Sequence, residues 1–151
     1  MAKPIFIETD ERKEAMKALE FVTFALRLSS EDVYCWKWVI IAVHNAMQAF
    51  IVCAISGTAG LGAIKEHIVA KWLKVLDSGS GSYPDLSLGW FPELYARMKK
   101  EFNFVPLPNV DESVDRLNKF RNGFIHFTPK AWLLEALRAF QNVIDTPQQI
   151  T

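Results

Sequence analysis

Arg121, Asn122 and His126 stand within six residues of one another, in the segment running from Arg116 to Thr128. A guanidinium is always charged and forks onto the oxygens of a carboxylate or phosphate. An imidazole titrates near neutral pH and moves protons. A carboxamide both donates and accepts hydrogen bonds. Local charge pairing sets Arg121 apart from its neighbours. Glu112 stands four before Arg116 and Asp115 four before Lys119, both in the favourable acid-first order. Arg138 has Glu135 one turn back. At three and four residues from Arg121 there are only Leu117, Asn118, Phe124 and Ile125. Its charge is therefore available to a distant carboxylate or to a phosphate.

Geometry limits what one helix can do with these groups. Asn122 and His126 are four apart and share a helix face, whereas Arg121 and His126 lie roughly 140° apart around it. A single helix does not easily aim both at one small atom. Two copies meeting across a two-fold axis would. Gly123 costs a helix about 1 kcal/mol relative to Ala, and close approach of a second backbone at such a crossing gives a reason to keep it.

The Arg121-Asn122-x-x-x-His126 pattern resembles the R-N-x-x-x-H signature of HEPN domains, small all-α domains that are often dimeric and occur in RNA-cleaving toxins and antiviral defence proteins. The likeness covers about a dozen residues; beyond them the chain agrees in helical character and length. The resemblance implies a metal-independent endoribonuclease with no cofactor, a toxin or phage-defence component acting as a homodimer. In that chemistry the ribose 2′-OH attacks the adjacent phosphorus, leaving a cyclic phosphate and a 5′-OH. His126 would move protons, Arg121 would stabilise charge on the phosphoryl oxygens, and Asn122 would orient His126 or the phosphate. Which histidine is base and which acid is left open. The family also implies an antitoxin or nucleotidyltransferase partner. Some members carry a Tyr two residues after the His for modification by the latter; here Thr128 stands there, which counts against that route. The alternative is a helical dimer that binds RNA, a nucleotide or a protein partner without cleavage.

The whole chain agrees with one small globular domain, residues 1–151. It has 151 residues, half of them apolar, 13% aromatic and five of them Trp, which excludes general disorder. Seventeen basic residues balance seventeen acidic ones, so no global basic field exists and nucleic-acid binding must come from a local patch. From Arg116 to Arg138 there are five basic residues and one acid, a net of +4. Arg116, Lys119 and Lys130 are the candidate RNA-backbone contacts there. His44, His67 and His126 show no metal-ligand spacing, and no zinc pattern is present. Cys35 and Cys53, roughly 27 Å apart along one helix, are too distant for a disulfide. The absence of an apolar leader after Met1 makes a reducing cytoplasm the expectation. Trp38 to Ile55 is almost long enough to span a bilayer, but His44, Asn45 and Gln48 at its middle favour a buried helix of a bundle.

The elements that position these residues are read as helices: Asp10 to Leu28, Glu31 to Ser56, Ala63 to Leu76, Phe91 to Phe102, and one from Asp111 towards a stop at Pro129, with a last one from Trp132 to Val143. The fold class expected is all-α, a compact bundle of about five helices, HEPN-like. Met16, Leu19, Val22, Thr23 and Leu26 form the expected apolar stripe of the first. Gly57 to Gly62 reads as a helix–helix turn, since neither a preceding strand nor the Lys-Ser/Thr ending of a phosphate loop is present. His44, Asn45 and Gln48 are read as an interhelical hydrogen bond that fixes register; the alternative is the polar lining of a cleft against the Asp111 helix.

Overall fold

Asp10 starts the first helix. In the computed structural model, which describes residues 9–126, its carboxylate accepts from the Lys13 backbone N–H at 2.8 Å. This satisfies one of the donors that a helix start leaves open and holds the Asp10 carboxyl below its ordinary range. α1 then runs Glu11–Ser29. Its buried residues are Ala15, Val22 and Ala25, while Met16, Leu19 and Leu26 are exposed. The expected stripe is therefore shifted. Ala15, Ala18, Val22, Ala25 and Ser29 repeat at three and four residues, and these small side chains let α1 lie close against the next helix. The larger apolar residues are left on its flanks.

The second helix begins later than its composition predicts. Asp32 takes an extended backbone, and its carboxylate accepts from the Tyr34 N–H at 2.9 Å. That local bond competes with helix and gives a 3-10 turn, Val33–Cys35, before α2 at Trp36–Ile55. The short connection folds α1 back along α2. Both cysteines are free. The run Val33–Ile55 is long and apolar enough to cross a membrane by length and composition, and 44% of its most apolar window is buried inside the bundle.

α3 (Glu66–Ser78), α4 (Phe91–Glu101) and α5 (Val110–Ile125) follow. α3 starts three residues after the expected Ala63. Ala63 and Ile64 instead pair with the segment before α4: Gly89 N–H donates to the Ala63 carbonyl at 2.9 Å, and Ile64 and Leu88 form an isolated antiparallel bridge. α3 buries none of its own residues, and Trp72 packs against Tyr83 with the rings tilted by 40° and their centroids 4.9 Å apart. The main core joins Ile51, Val52 and Ile55 of α2 to Phe91, Leu94 and Tyr95 of α4 and Val114 of α5. Tyr95 and Lys99 of α4 both donate to Asp111 at the start of α5, at 2.9 and 2.8 Å. Burial first, and then this bond to Asp111, push the Tyr95 hydroxyl up to about 12. The Lys99 ammonium, followed by Tyr95, holds the Asp111 carboxyl low.

The protein is thus an all-α helical bundle, with five α-helices among the described residues. Phe127, Pro129, Lys130 and the expected helix from Trp132 to Val143 lie outside those residues.

The glycine-rich turn has a packing cause rather than a phosphate. Gly57 and Gly60 adopt positive φ of 63° and 69°, and a Cβ on Gly62 would collide with the carbonyl oxygen of Ile55. Arg97 of α4 donates to the Gly62 carbonyl. Gly62→Ala is expected to lower stability by about 1–3 kcal/mol through overpacking. Urea denaturation checks this, and an unchanged midpoint would contradict it.

Candidate functional site

α2 carries polar groups at its middle, and they point to different sides. His44 is 1% exposed, with its ring 4.2 Å from that of Phe91. Its Nε2 lies 3.2 Å from Asn118 Oδ1 on α5. Asn118 Oδ1 also accepts from Asn122 Nδ2 at 3.4 Å. A carboxamide oxygen has no proton to donate, so the imidazole carries its proton on Nε2. Nδ1 is then the bare nitrogen, and it is buried without a partner among the described residues. Desolvation, with the nearby Arg121 charge adding to it, pushes the His44 pKa down against the opposing bond to Asn118. The expected interhelical hydrogen bond is therefore present, made by His44. Asn45 and Gln48 instead face a groove.

The network continues along α5. Asn122 Oδ1 accepts from Arg121 Nη1 at 2.9 Å. One carboxamide thus bridges Asn118 to the guanidinium, and a line of hydrogen bonds runs from His44 through Asn118 and Asn122 to Arg121. Among the described residues no carboxylate pairs with Arg121, as the spacing predicts. Its Nε is buried, with no hydrogen-bond partner among the described residues. The side chain borders a groove of about 840 Å³ between α1 and α2, which Phe21, Trp38, Asn45, Gln48 and Val52 also line.

His126 is placed differently. α5 ends at Ile125, and His126 is its cap, exposed, with its backbone N–H on the Asn122 carbonyl at 3.0 Å. The helix was expected to run on towards Pro129. In a helix continued that far, a proline would give Ile125 no N–H and its ring would crowd the Ile125 carbonyl, which favours an earlier end. Asn122 makes its side-chain bonds to Arg121 and Asn118, so within one chain its amide holds the guanidinium rather than orienting His126. Of the basic residues, Arg116 is paired with Glu112 at 2.6 Å, Lys119 is exposed, and Lys130 lies outside the described residues.

Asn118 is the member of this network that sequence reading missed. The available signal was its place one turn before Asn122 and its polarity on a face otherwise carrying Val114 and Leu117. No group of His, Cys, Asp and Glu able to hold a metal occurs among the described residues.

The lowered pKa of His44 makes stability depend on pH. The unfolded imidazole titrates near 6.5 and the folded one lower, so between those values the unfolded chain binds more protons. The contribution is complete above about pH 6.5 and declines as pH falls towards the folded value. His44→Gln is expected to be less stable at pH 7.5 and to lose less on acidification to pH 5.5. Urea midpoints at both pH values check this; an equal loss in both proteins would contradict it.

No known protein family, no curated protein and no solved structure matches the chain.

Proposed function

We propose that the protein is an HEPN-type, metal-independent endoribonuclease whose site forms where two copies of α5 meet. The observation that carries this reading is Arg121. Its guanidinium has no acid partner among the described residues, is fixed by Asn122, and stands five residues before an exposed histidine. A fixed cation suits charge building on a phosphoryl oxygen, and an accessible imidazole suits proton transfer. The 2′-OH would lose its proton to one histidine as it bonds to phosphorus. The 5′-oxygen would leave with a proton from another donor, so that a cyclic phosphate and a 5′-hydroxyl result. Because Arg121 and His126 diverge on one helix, the histidine acting beside a given Arg121 would come from the second copy. A toxin or defence role, with an antitoxin partner, follows from the same resemblance.

A second reading has its own support. The Asn122 amide is engaged by Arg121 and Asn118, so Asn122 does not orient His126 within the chain. If dimerisation does not supply that orientation, the same face would bind RNA or a nucleotide without cutting it.

Incubation with single-stranded RNA in EDTA separates the two. The nuclease reading expects cleavage with cyclic-phosphate ends, and a loss of roughly 100-fold or more in folded Arg121→Ala and His126→Ala. Intact RNA at protein concentrations that drive dimerisation, with RNA binding retained, would establish the second reading instead.

A further inference from the structure

We propose that the groove between α1 and α2 is a nucleotide subsite, which takes one base of single-stranded RNA while Arg121 holds the adjoining phosphate. The ligand class rests on the RNA reading above, in either its cleaving or its binding form. The groove encloses about 840 Å³, inside the range of roughly 300–1,000 Å³ usual for sites that hold a small ligand. Its walls are aromatic and its lining is polar in a few places. Phe21 on α1 and Trp38 on α2 are 45% and 50% exposed along it. Every base has a flat face that stacks on such rings. Asn45 and Gln48 of α2 line the same groove. Neither carboxamide makes a hydrogen bond to another described residue. Each offers donors and an acceptor together, the combination that reads the edge of a base.

Charge is divided between the two ends. Val114 packs with Ile51 and Ile55, and Asn118 bonds to His44, so α5 runs antiparallel to α2. Arg121, almost one turn beyond Asn118, therefore lies level with the first half of α2, towards Trp38 and Ile41. Its guanidinium is held by Asn122 and borders the groove there. α1 is folded back along α2, so its start lies at the opposite end, beside Val52. Asp10, Glu11 and Glu14 line that end. Lys17, between the two, is paired with Glu20 at 2.7 Å.

This division selects the ligand. A phosphate is attracted to Arg121 and repelled by the three carboxylates. An RNA strand therefore does not follow the groove along its length. It crosses at Arg121 and turns one base inward, over Trp38 and Phe21 and towards Asn45 and Gln48. Carboxylates beyond them accept from the amino and imino N–H groups that bases carry. In the cleaving form of the reading, the base beside the cut bond is the one that the groove holds.

NMR titration of the full-length chain with each of the four nucleoside 5′-monophosphates tests the subsite. Ribose 5-phosphate and a 2′-O-methyl RNA hexamer, which 2′-OH attack cannot cut, serve as further ligands. At least one mononucleotide is expected to bind and to shift the side-chain amide signals of Asn45 and Gln48. Ribose 5-phosphate, which lacks the base, is expected to bind roughly 10-fold more weakly, and the hexamer to displace the mononucleotide. Folded Trp38→Ala is expected to weaken mononucleotide binding roughly 10-fold, and Trp38→Phe to recover most of that loss. Gln48→Ala is expected to weaken it as well, and keeps the test valid if Trp38→Ala does not fold. Failure of all four mononucleotides to bind, equal binding of ribose 5-phosphate, or indifference to the folded variants would overturn the subsite. A bound mononucleotide that the hexamer does not displace would overturn the assignment to RNA. The nuclease reading fails separately. Unmodified RNA that stays intact in EDTA while the mononucleotide and hexamer bind as expected upholds the subsite and removes cleavage. RNA cleavage without mononucleotide binding removes the subsite alone.

Discussion

His44 is a polar side chain in the middle of the most apolar helix of the chain, and its burial has to be compensated. An imidazole N–H left unpaired in such a place costs about 1–3 kcal/mol. The Asn118 oxygen, 3.2 Å away on α5, removes that cost for one nitrogen, and sliding α5 along α2 would break the bond. The bond therefore sets the axial register of α5. Register in turn decides where Arg121 and His126 come to rest: the first beside the α1–α2 groove, the second exposed at the helix end. Apolar packing of Val114 on Ile51 and Ile55 brings the two helices together, but packing of this kind tolerates sliding better than a hydrogen bond does.

The same network explains how an unpaired cation is kept in place. Arg121 pairs with no carboxylate among the described residues, yet Asn122 fixes its direction and Asn118 fixes Asn122. Two amides accomplish this without adding charge of their own, and the guanidinium field remains available at the surface. The Arg121 charge also acts backwards on His44, reinforcing the burial that keeps the imidazole neutral. A protonated His44 would put a second cation beside Arg121 and leave an ammonium-like Nδ1–H buried with no acceptor. The neutral Nε2–H form satisfies all these constraints together.

Much of this was legible in the residues. Helical periodicity and the Gly and Pro breaks located all five described helices, and the lack of an acid within one turn of Arg121 was visible from spacing alone. The polar trio in α2 pointed correctly to an interhelical bond, although spacing did not say which member would make it. The elements that differed did so for local or steric reasons. Asp32 captured a backbone N–H and delayed α2 to Trp36. The burial stripe of α1 followed Ala15, Val22 and Ala25 rather than the larger Met16 and Leu19, because close helix–helix approach selects small side chains. Asn118 escaped notice because its importance depends on a partner 74 positions away, a relation that no helical period encodes.

The claim on which the rest depends is that His44 is neutral, protonated on Nε2, and bonded to Asn118. Long-range nitrogen–proton NMR correlation of the histidine rings at neutral pH tests it most directly. The expected result is a His44 ring with Nδ1 bare, and an Nε2 proton protected from exchange that becomes labile in Asn118→Ala. A His44 ring that is charged at neutral pH, protonated on Nδ1, or indifferent to Asn118→Ala would contradict the account.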